Sequence, residues 1–573
     1  MMTRVKKALA GETLLGALTQ NFFRRFFDNE ITGGTRDLTS MFFWMVGFVG
    51  GPFALVPIPA MVTFRLIAQR LGPEALRVLS RPTKLRVIEL GMAVSAFLAA
   101  VVWRSLMLDR RDGLILGALP LRARSVVGSK LAALAMYVMG VAAAMHTIPS
   151  VLFGLILSDR THSVRLAALG PFAHFAATTS ACAFVFLSIT AVQGIALSLV
   201  GPRAFRRLSS FLQMAVVGGV IIGLTKFTTV LQAAAQLDAH GASHAPAPWL
   251  FWLPPLWFLG LYEWILGGAE AAYVRLALIA VVALATTSII TVATYAVVYR
   301  RLVAQVVETP EDAGSSGWLG ALLRQVVRVL SRRPPSRAAS QFFFASVGRV
   351  ERPRFVVAVT LGIVCAWIAP ALLLLAPANR SPSLWTMFSL SYVAMALVIV
   401  GLRISISMPS DLRASWLLAA IGAPRRWLRS GLWRAFYLSA VVPVALGFTI
   451  LGVSRWTWPV AVGHASVMLS AGVFLIELAL WHFDDMSNAR PWRPEGANLR
   501  MSWPAYVAGF TALTAGLPTL EQEIGGGAAG IIGLCGVFLL AAWALRIVHG
   551  RPYPAPSFEI ETVVEAPSVL GLD

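Results

Sequence analysis

Charged residues are scarce in this chain. They make up 13% of its 573 residues, against about 25% in a soluble domain. That shortage excludes one large soluble enzyme. The length alone would suggest roughly three or four soluble domains. Yet 57% of the residues are hydrophobic and the mean hydropathy is +0.72, so the apolar runs fit membrane spans instead. Cysteine is nearly absent. Cys182, Cys365 and Cys535 all sit in apolar runs, with no metal-ligand spacing and no disulfide framework. A phosphate-cradling G-x-x-x-x-G-K-S/T loop is missing too. The nearest string, Gly128-Ser129-Lys130, lacks the upstream glycines and opens an apolar run. No ATP hydrolysis, cofactor, metal or catalytic residue is therefore expected of this chain. The first 40 residues mix Arg4, Lys6, Lys7, Arg24 and Arg25 with apolar residues and show no clean leader run.

What is abundant is hydrocarbon in blocks of about 20 residues, the length that crosses about 30 Å of bilayer. Twelve such blocks are predicted. The first six are near 41–62, 88–108, 132–157, 172–200, 209–230 and 274–298. The second six are near 355–377, 384–404, 431–453, 459–481, 503–520 and 527–548. The expected fold is all-α, a polytopic integral membrane protein of about twelve transmembrane helices in two pseudo-repeated six-helix halves. Residues 1–40 form an amphipathic cytoplasmic segment, 41–298 the first half, 299–354 a basic linker, 355–548 the second half and 549–573 a cytoplasmic tail.

The net charge of +21 would point a soluble protein toward nucleic acid. Here the basic residues act as a topology ruler, because short cytoplasmic loops collect Lys and Arg. The linker holds ten arginines between Arg300 and Arg354, which puts it inside. Alternation then places both termini in the cytoplasm of a cell with an inner membrane, and nucleic acid is not an expected partner. The stretch 231–273 contains Arg or Lys nowhere and falls outside. One loop breaks the rule. Residues 63–87 carry Arg65, Arg70, Arg77, Arg81, Lys84 and Arg86, yet the count puts them outside.

The halves share a pattern between their second and third spans. DRRDGLILGALPLRARSVVGSK runs from Asp109 to Lys130, and DLRASWLLAAIGAPRRWLRSGLWR from Asp411 to Arg434. Both open Asp-x-Arg (Asp109/Arg111, Asp411/Arg413). Both continue with an apolar triplet (Leu114, Ile115, Leu116; Trp416, Leu417, Leu418). Both reach Pro after a small or apolar residue (Leu119-Pro120; Ala423-Pro424), and both place a cation ten residues after it (Lys130; Arg434). Upstream, QNFFRRFF at Gln20 echoes QFFFASVGR at Gln341. The Gln-to-Asp spacing is 89 residues in the first half and 70 in the second. The difference matches the extra length of 63–87, which reads as a loop insertion confined to the first half. The repeated segment is short, amphipathic and cytoplasmic, which suits docking into a groove on a soluble partner or lying in the headgroup layer against lipid phosphates.

The run DRRDGLILGALPLRARSVVGSKL resembles the cytoplasmic coupling segment of permease subunits of type-2 ABC exporters. That resemblance implies an interfacial N-terminal helix, matched here by Leu9, Leu14, Leu15, Leu18, Phe22, Phe23, Phe26 and Phe27 in 8–27. It also implies short re-entrant helices before the sixth span, matched by WLFWLPPLWFLGLYEWIL at 249–266. It further implies a separate ABC ATPase subunit docking on Asp109, Arg111, Leu114, Ile115, Leu116, Leu119, Pro120, Asp411, Arg413, Trp416, Leu417 and Pro424. The second half departs from the pattern in having Ala-Pro where the family has Leu-Pro. Membrane lipids and an unidentified exported substrate complete the expected partners, and the sparse polar lining favours an amphipathic or lipid-linked substrate.

Ionisable residues inside spans are functional candidates by default. The deep ones are His146, His174, His464 and Glu477. Two alternatives stand beside the permease. A secondary carrier of the major facilitator type also has six plus six spans, but its loop motif needs Gly where this chain has Ser105 and Asp112. A polytopic membrane enzyme would use His464, Glu477, His482 or Asp484, and would be active as a purified single chain.

Overall fold

The computed structural model describes residues 11–26, 53, 57–107, 116, 121–161, 164–225, 230, 232, 248–305, 325, 333–374, 384–407, 425–453, 456–481, 509, 512–524 and 527–549. Among the described residues every regular element is helical. The chain divides into two units, Met1–Glu311 and Asp312–Asp573. The division falls within the predicted linker.

The first unit begins with α1 (Gly11–Arg24). Its apolar stripe buries Leu18, Phe22 and, just beyond, Phe26. Next come α2 (Pro57–Val101), the short α3 (Trp103–Leu106) and α4 (Ala123–Thr161). The long α5 (Val164–Thr225) holds two helices joined at Gly201. Gly201 has φ +74°, a left-handed conformation that only glycine adopts cheaply. Pro202 then starts the second helix, where its missing N–H costs nothing. A 3-10 turn (Pro248–Trp252) leads into α6 (Pro254–Ile265), and a tight turn at Gly267 (φ +91°) leads into α7 (Ala271–Gln305).

The second unit runs α8 (Pro334–Arg349), α9 (Glu351–Leu374), α10 (Leu384–Ser407), α11 (Arg425–Phe436), α12 (Val442–Val453), α13 (Trp458–Ala479), α14 (Leu517–Ile524) and α15 (Ala528–His549). A π-helical turn at Tyr437–Val441 joins α11 to α12. Pro443 follows it and lacks the N–H that an α-helical ladder needs, so the wider turn takes up the mismatch.

Seven described stretches are long and apolar enough to cross a membrane: Ala123–Phe153, Leu169–Gly201, Ala271–Arg301, Leu384–Ile406, Trp427–Val453, Trp458–Ala479 and Ala528–Val548. The chain is thus an all-α, multi-pass membrane protein. Shorter apolar helices, Leu208–Leu224 and Pro353–Ala366, coincide with the fifth and seventh expected spans. The first expected span falls mostly outside the described residues, and the eleventh is described at 509 and 512–520. The second lies in α2.

The structure corrects one expectation. Residues 63–87 are not a loop inserted between spans; they are continuous with the second span in the 45-residue α2. Arg and Lys are good helix formers, and Arg81 and Lys84 turn inward to carboxylates (below) where a loop would hold them in water.

One close helix pair stands out in each unit. In the first unit α1 lies on the start of α4. Phe26 stacks on Tyr137 with ring centres 4.8 Å apart, and the Ser129 hydroxyl donates to the Leu15 carbonyl at 3.4 Å. In the second unit α8 lies on α11. The Ser340 hydroxyl donates to the Gly431 carbonyl at 2.7 Å, and Phe343 meets Phe436 at 5.6 Å. A side chain at Gly431 would overlap the Ser336 carbonyl, so glycine sets how closely these two backbones approach. Between lipid-solvated helices there is little hydrophobic driving force, and close backbone packing takes its place.

Candidate coupling ends and buried polar centres

Most of the predicted docking residues lie outside the described residues. This holds for Asp109, Arg111, Leu114, Ile115, Leu119 and Pro120, and for Asp411, Arg413, Trp416, Leu417 and Pro424. Leu116 is described and is 8% exposed, packed into the first unit's core. What the structure gives in full is the frame on which each segment hangs.

In the first unit the chain enters the segment through α3. Three ties hold that entry. The Trp103 indole donates to Ser209 on α5 at 2.8 Å. The Ser105 hydroxyl donates to the Arg25 carbonyl beyond α1 at 3.0 Å. The Tyr295 hydroxyl on α7 donates to the Leu106 carbonyl. The exit is α4, where Lys130 is buried with its ammonium 4.9 Å from the Phe22 ring centre and 5.1 Å from that of Phe26. Cation–π contacts of this kind offset part of the cost of burying a charge.

In the second unit the exit is α11. Arg434 reaches Ser336 on α8 at 3.4 Å, and Ser430 donates to the same hydroxyl at 3.0 Å. Arg429 on α11 pairs with Glu477 at 2.8 Å, and Arg546 on α15 takes the other carboxylate oxygen at 2.7 Å. Glu477 is nearly buried on α13. One predicted intramembrane residue therefore joins three helices where the segment ends.

A buried polar centre lies along α2, away from α3. Arg81 and Lys84 sit one helical turn apart on α2. The Lys84 ammonium meets Glu263 of α6 at 2.8 Å, with neither side chain exposed. Arg81 approaches the second Glu263 oxygen at 3.5 Å and pairs with Glu270 at 2.7 Å. Glu270 is 48% exposed. The rings of Tyr273 and Tyr262 lie 4.3 Å from the Arg81 guanidinium and 4.6 Å from the Lys84 ammonium. Buried charges persist only when paired and hydrogen-bonded, and each cation here has a carboxylate and an aromatic face. From Arg81 to the end of α2 at Val101 is about 30 Å of helix, one hydrocarbon thickness. The acid–base pairs and the frame around α3 thus stand at opposite ends of α2.

His174 and His146 lie just below these pairs. The His174 ring stacks on Phe153 at 4.7 Å and meets Tyr262 edge-on at 5.6 Å. His146 is 6.2 Å from His174, and its Nε2 is 3.5 Å from Cys182 Sγ. Both His174 ring nitrogens, His146 Nδ1 and the Tyr262 hydroxyl are buried with no hydrogen-bond partner among the described residues. Among the described residues no group of three or more His, Cys, Asp or Glu can hold a metal ion.

The second unit treats its histidine differently. His464 Nδ1 is 2.9 Å from Glu521 of α14, and Nε2 is 2.9 Å from Ser391 Oγ on α10. Tyr392 donates to the other Glu521 oxygen at 2.5 Å. The order serine, histidine, carboxylate matches that of a nucleophilic triad. The chemistry does not follow. Ser391 is fully buried inside a helix, and its hydroxyl donates to the Phe388 carbonyl at 2.7 Å. A nucleophile needs its proton free for the base and its oxygen open to substrate. Here the network fastens α14 to α10 and α13.

Of the four expected intramembrane residues, the structure brings His146 and His174 together, puts His464 in a saturated network and puts Glu477 at a helix junction. Arg81, Lys84, Glu263 and Glu521 were not singled out from sequence. Glu263 had a signal: it is the one carboxylate in the aromatic run 249–266. His482 and Asp484 lie outside the described residues except for the sequence itself. No protein-family model, curated protein or solved structure matches this chain.

Proposed function

We propose that the chain is the permease of a type-2 ABC exporter, working with a separate ATPase that docks on 109–120 and 411–424. On this reading both termini are cytoplasmic, the two units are six-span repeats, and an amphipathic or lipid-linked molecule is moved outward across an inner membrane. The chain itself performs no hydrolysis.

One observation carries the reading. Aligning Gln20 with Gln341 and Lys130 with Arg434 was a matter of sequence alone. In each unit the helix holding that glutamine packs on the helix holding that cation. Each repeated segment therefore ends on a helix clamped by an amphipathic partner. A push on the segment moves that helix as a rigid rod. The short helix α6, just before the long apolar α7, agrees with the expected re-entrant element.

The test is co-purification. The full-length chain is tagged in its native cell and extracted in mild detergent. An ATPase with a phosphate-cradling glycine-rich loop is expected in near-stoichiometric amount. Recovery of the chain with no ATPase, in every mild detergent that keeps it folded, overturns the proposal.

A further inference from the structure

The short helix before the last apolar helix of each unit carries one shared pattern. On α6, Glu263 is followed after three residues by Gly267-Gly268; on α14, Glu521 is followed after three residues by Gly525-Gly526. A histidine near the start of an apolar helix repeats as well. His174 on α5 and His464 on α13 are each followed after five residues by Ser-Ala (Ser180-Ala181, Ser470-Ala471). The two imidazoles have like surroundings. His174 stacks on Phe153 at 4.7 Å and meets Tyr262 edge-on at 5.6 Å. His464 stacks on Phe388 at 4.3 Å and meets Tyr392 edge-on at 5.4 Å.

The carboxylates differ in what they hold. Glu521 meets His464 Nδ1 at 2.9 Å and so ties α14 to α13. Glu263 meets Lys84 at 2.8 Å and Arg81 at 3.5 Å, which ties α6 to α2. His174 is then left with both ring nitrogens buried and without a hydrogen-bond partner among the described residues, an arrangement that costs free energy. The helix α6 already touches both possible seats, since Glu263 faces α2 while its neighbour Tyr262 faces His174 on α5. Neither cation depends on Glu263 alone. Arg81 also pairs with Glu270 at 2.7 Å, and the Tyr262 ring lies 4.6 Å from the Lys84 ammonium.

We propose that Glu263 is a two-position latch, and that its second position is on His174, the arrangement that Glu521 shows on His464. In the first position α6 is held to α2. In the second, Glu263 accepts from the His174 ring and α6 is held to the start of α5. The two packings are discrete because each ends on a specific pair, so whatever favours one pair moves α6 as a unit. The latch rests on reading the two units as counterparts, and it needs no ATPase to operate.

The test is nitrogen-15 NMR of the full chain in detergent micelles, with the rings of its 8 histidines labelled. His174 is assigned by the signal lost in His174→Phe, and His464 by the signal that moves in Glu521→Gln. In the unaltered chain the His174 signal should lie apart from that of His464. Lys84→Gln should move it most of the way to the His464 position, and adding Glu263→Gln should return it. A folded Lys84→Gln with His174 unmoved overturns the proposal, and so does an equal move in the combined variant. If Lys84→Gln fails to fold, Arg81→Gln takes its place, with a smaller move expected in the same direction; no move there overturns the proposal. An unmoved His174 leaves ATPase co-purification untouched, and a missing ATPase leaves the NMR result untouched, so the two readings fail separately.

Discussion

The Lys84 ammonium and the Glu263 carboxylate meet at 2.8 Å with neither side chain exposed, although 179 residues separate them in the chain. This contact fastens α6 to α2. It also accounts for two of the six basic residues in the exceptional stretch, because Arg81 and Lys84 are matched by Glu263 and Glu270.

Breaking that pair from one side should be costly. Removing one partner of a buried ion pair leaves an uncompensated charge, at about 3–5 kcal/mol. Glu263→Gln should lower thermal stability by that order, and Lys84→Met combined with Glu263→Gln should recover much of the loss. A double-mutant cycle in detergent measures it. A coupling energy below about 0.5 kcal/mol would show that the contact does not hold α6.

Topology follows from the same pair. If 231–273 is external, a half-exposed cysteine at position 270 faces the outside. In a background with Cys182, Cys365 and Cys535 replaced by serine, Glu270→Cys should react with a membrane-impermeant maleimide in intact cells. Labelling only after permeabilisation would place α6 and the Arg81 end of α2 in the cytoplasm and reverse the assignment.

The close packing of α8 on α11 is tested at Gly431. A larger side chain there runs into the Ser336 backbone, and overpacking of this kind typically costs about 1–3 kcal/mol. Gly431→Leu should release α8, seen as new protease cleavage within 334–349. An unchanged digestion pattern would mean that the glycine is not what sets this approach.

The Ser391–His464–Glu521 network should prove structural. A fluorophosphonate should leave Ser391 unlabelled in the folded chain. Ser391→Ala should cost about 1–3 kcal/mol through its buried partners and change no hydrolytic rate. Stoichiometric labelling that disappears in Ser391→Ala would revive the membrane-enzyme alternative.

The helical membrane class was legible because apolar runs of about 20 residues admit little else. That α1 packs on α4, and α8 on α11, was not legible; only the parallel placing of Gln20/Gln341 and Lys130/Arg434 was. The inward turn of Arg81 and Lys84 was not legible. The positive-inside rule treats Lys and Arg as solvated charges, and no single sequence reveals that Lys84 finds its carboxylate on a distant helix. Glu521 was hidden for the same reason. It stands in LEQEI at the edge of a polar stretch, and only the fold brings it to His464. His146 and His174 stood out as ionisable residues in apolar runs, but their mutual contact depends on how α4 packs on α5.

The central claim is that a separate ATPase drives this chain through the repeated segments. The most direct measurement is ATPase activity of the partner reconstituted with the full chain, comparing wild type with Leu114→Ser/Ile115→Ser and Trp416→Ser/Leu417→Ser. Leu116 is spared because its burial would confound docking with stability. The account predicts that the wild-type chain raises ATPase activity and that the first double variant, still folded and membrane-inserted, loses most of that rise. Undiminished stimulation in both variants would contradict it.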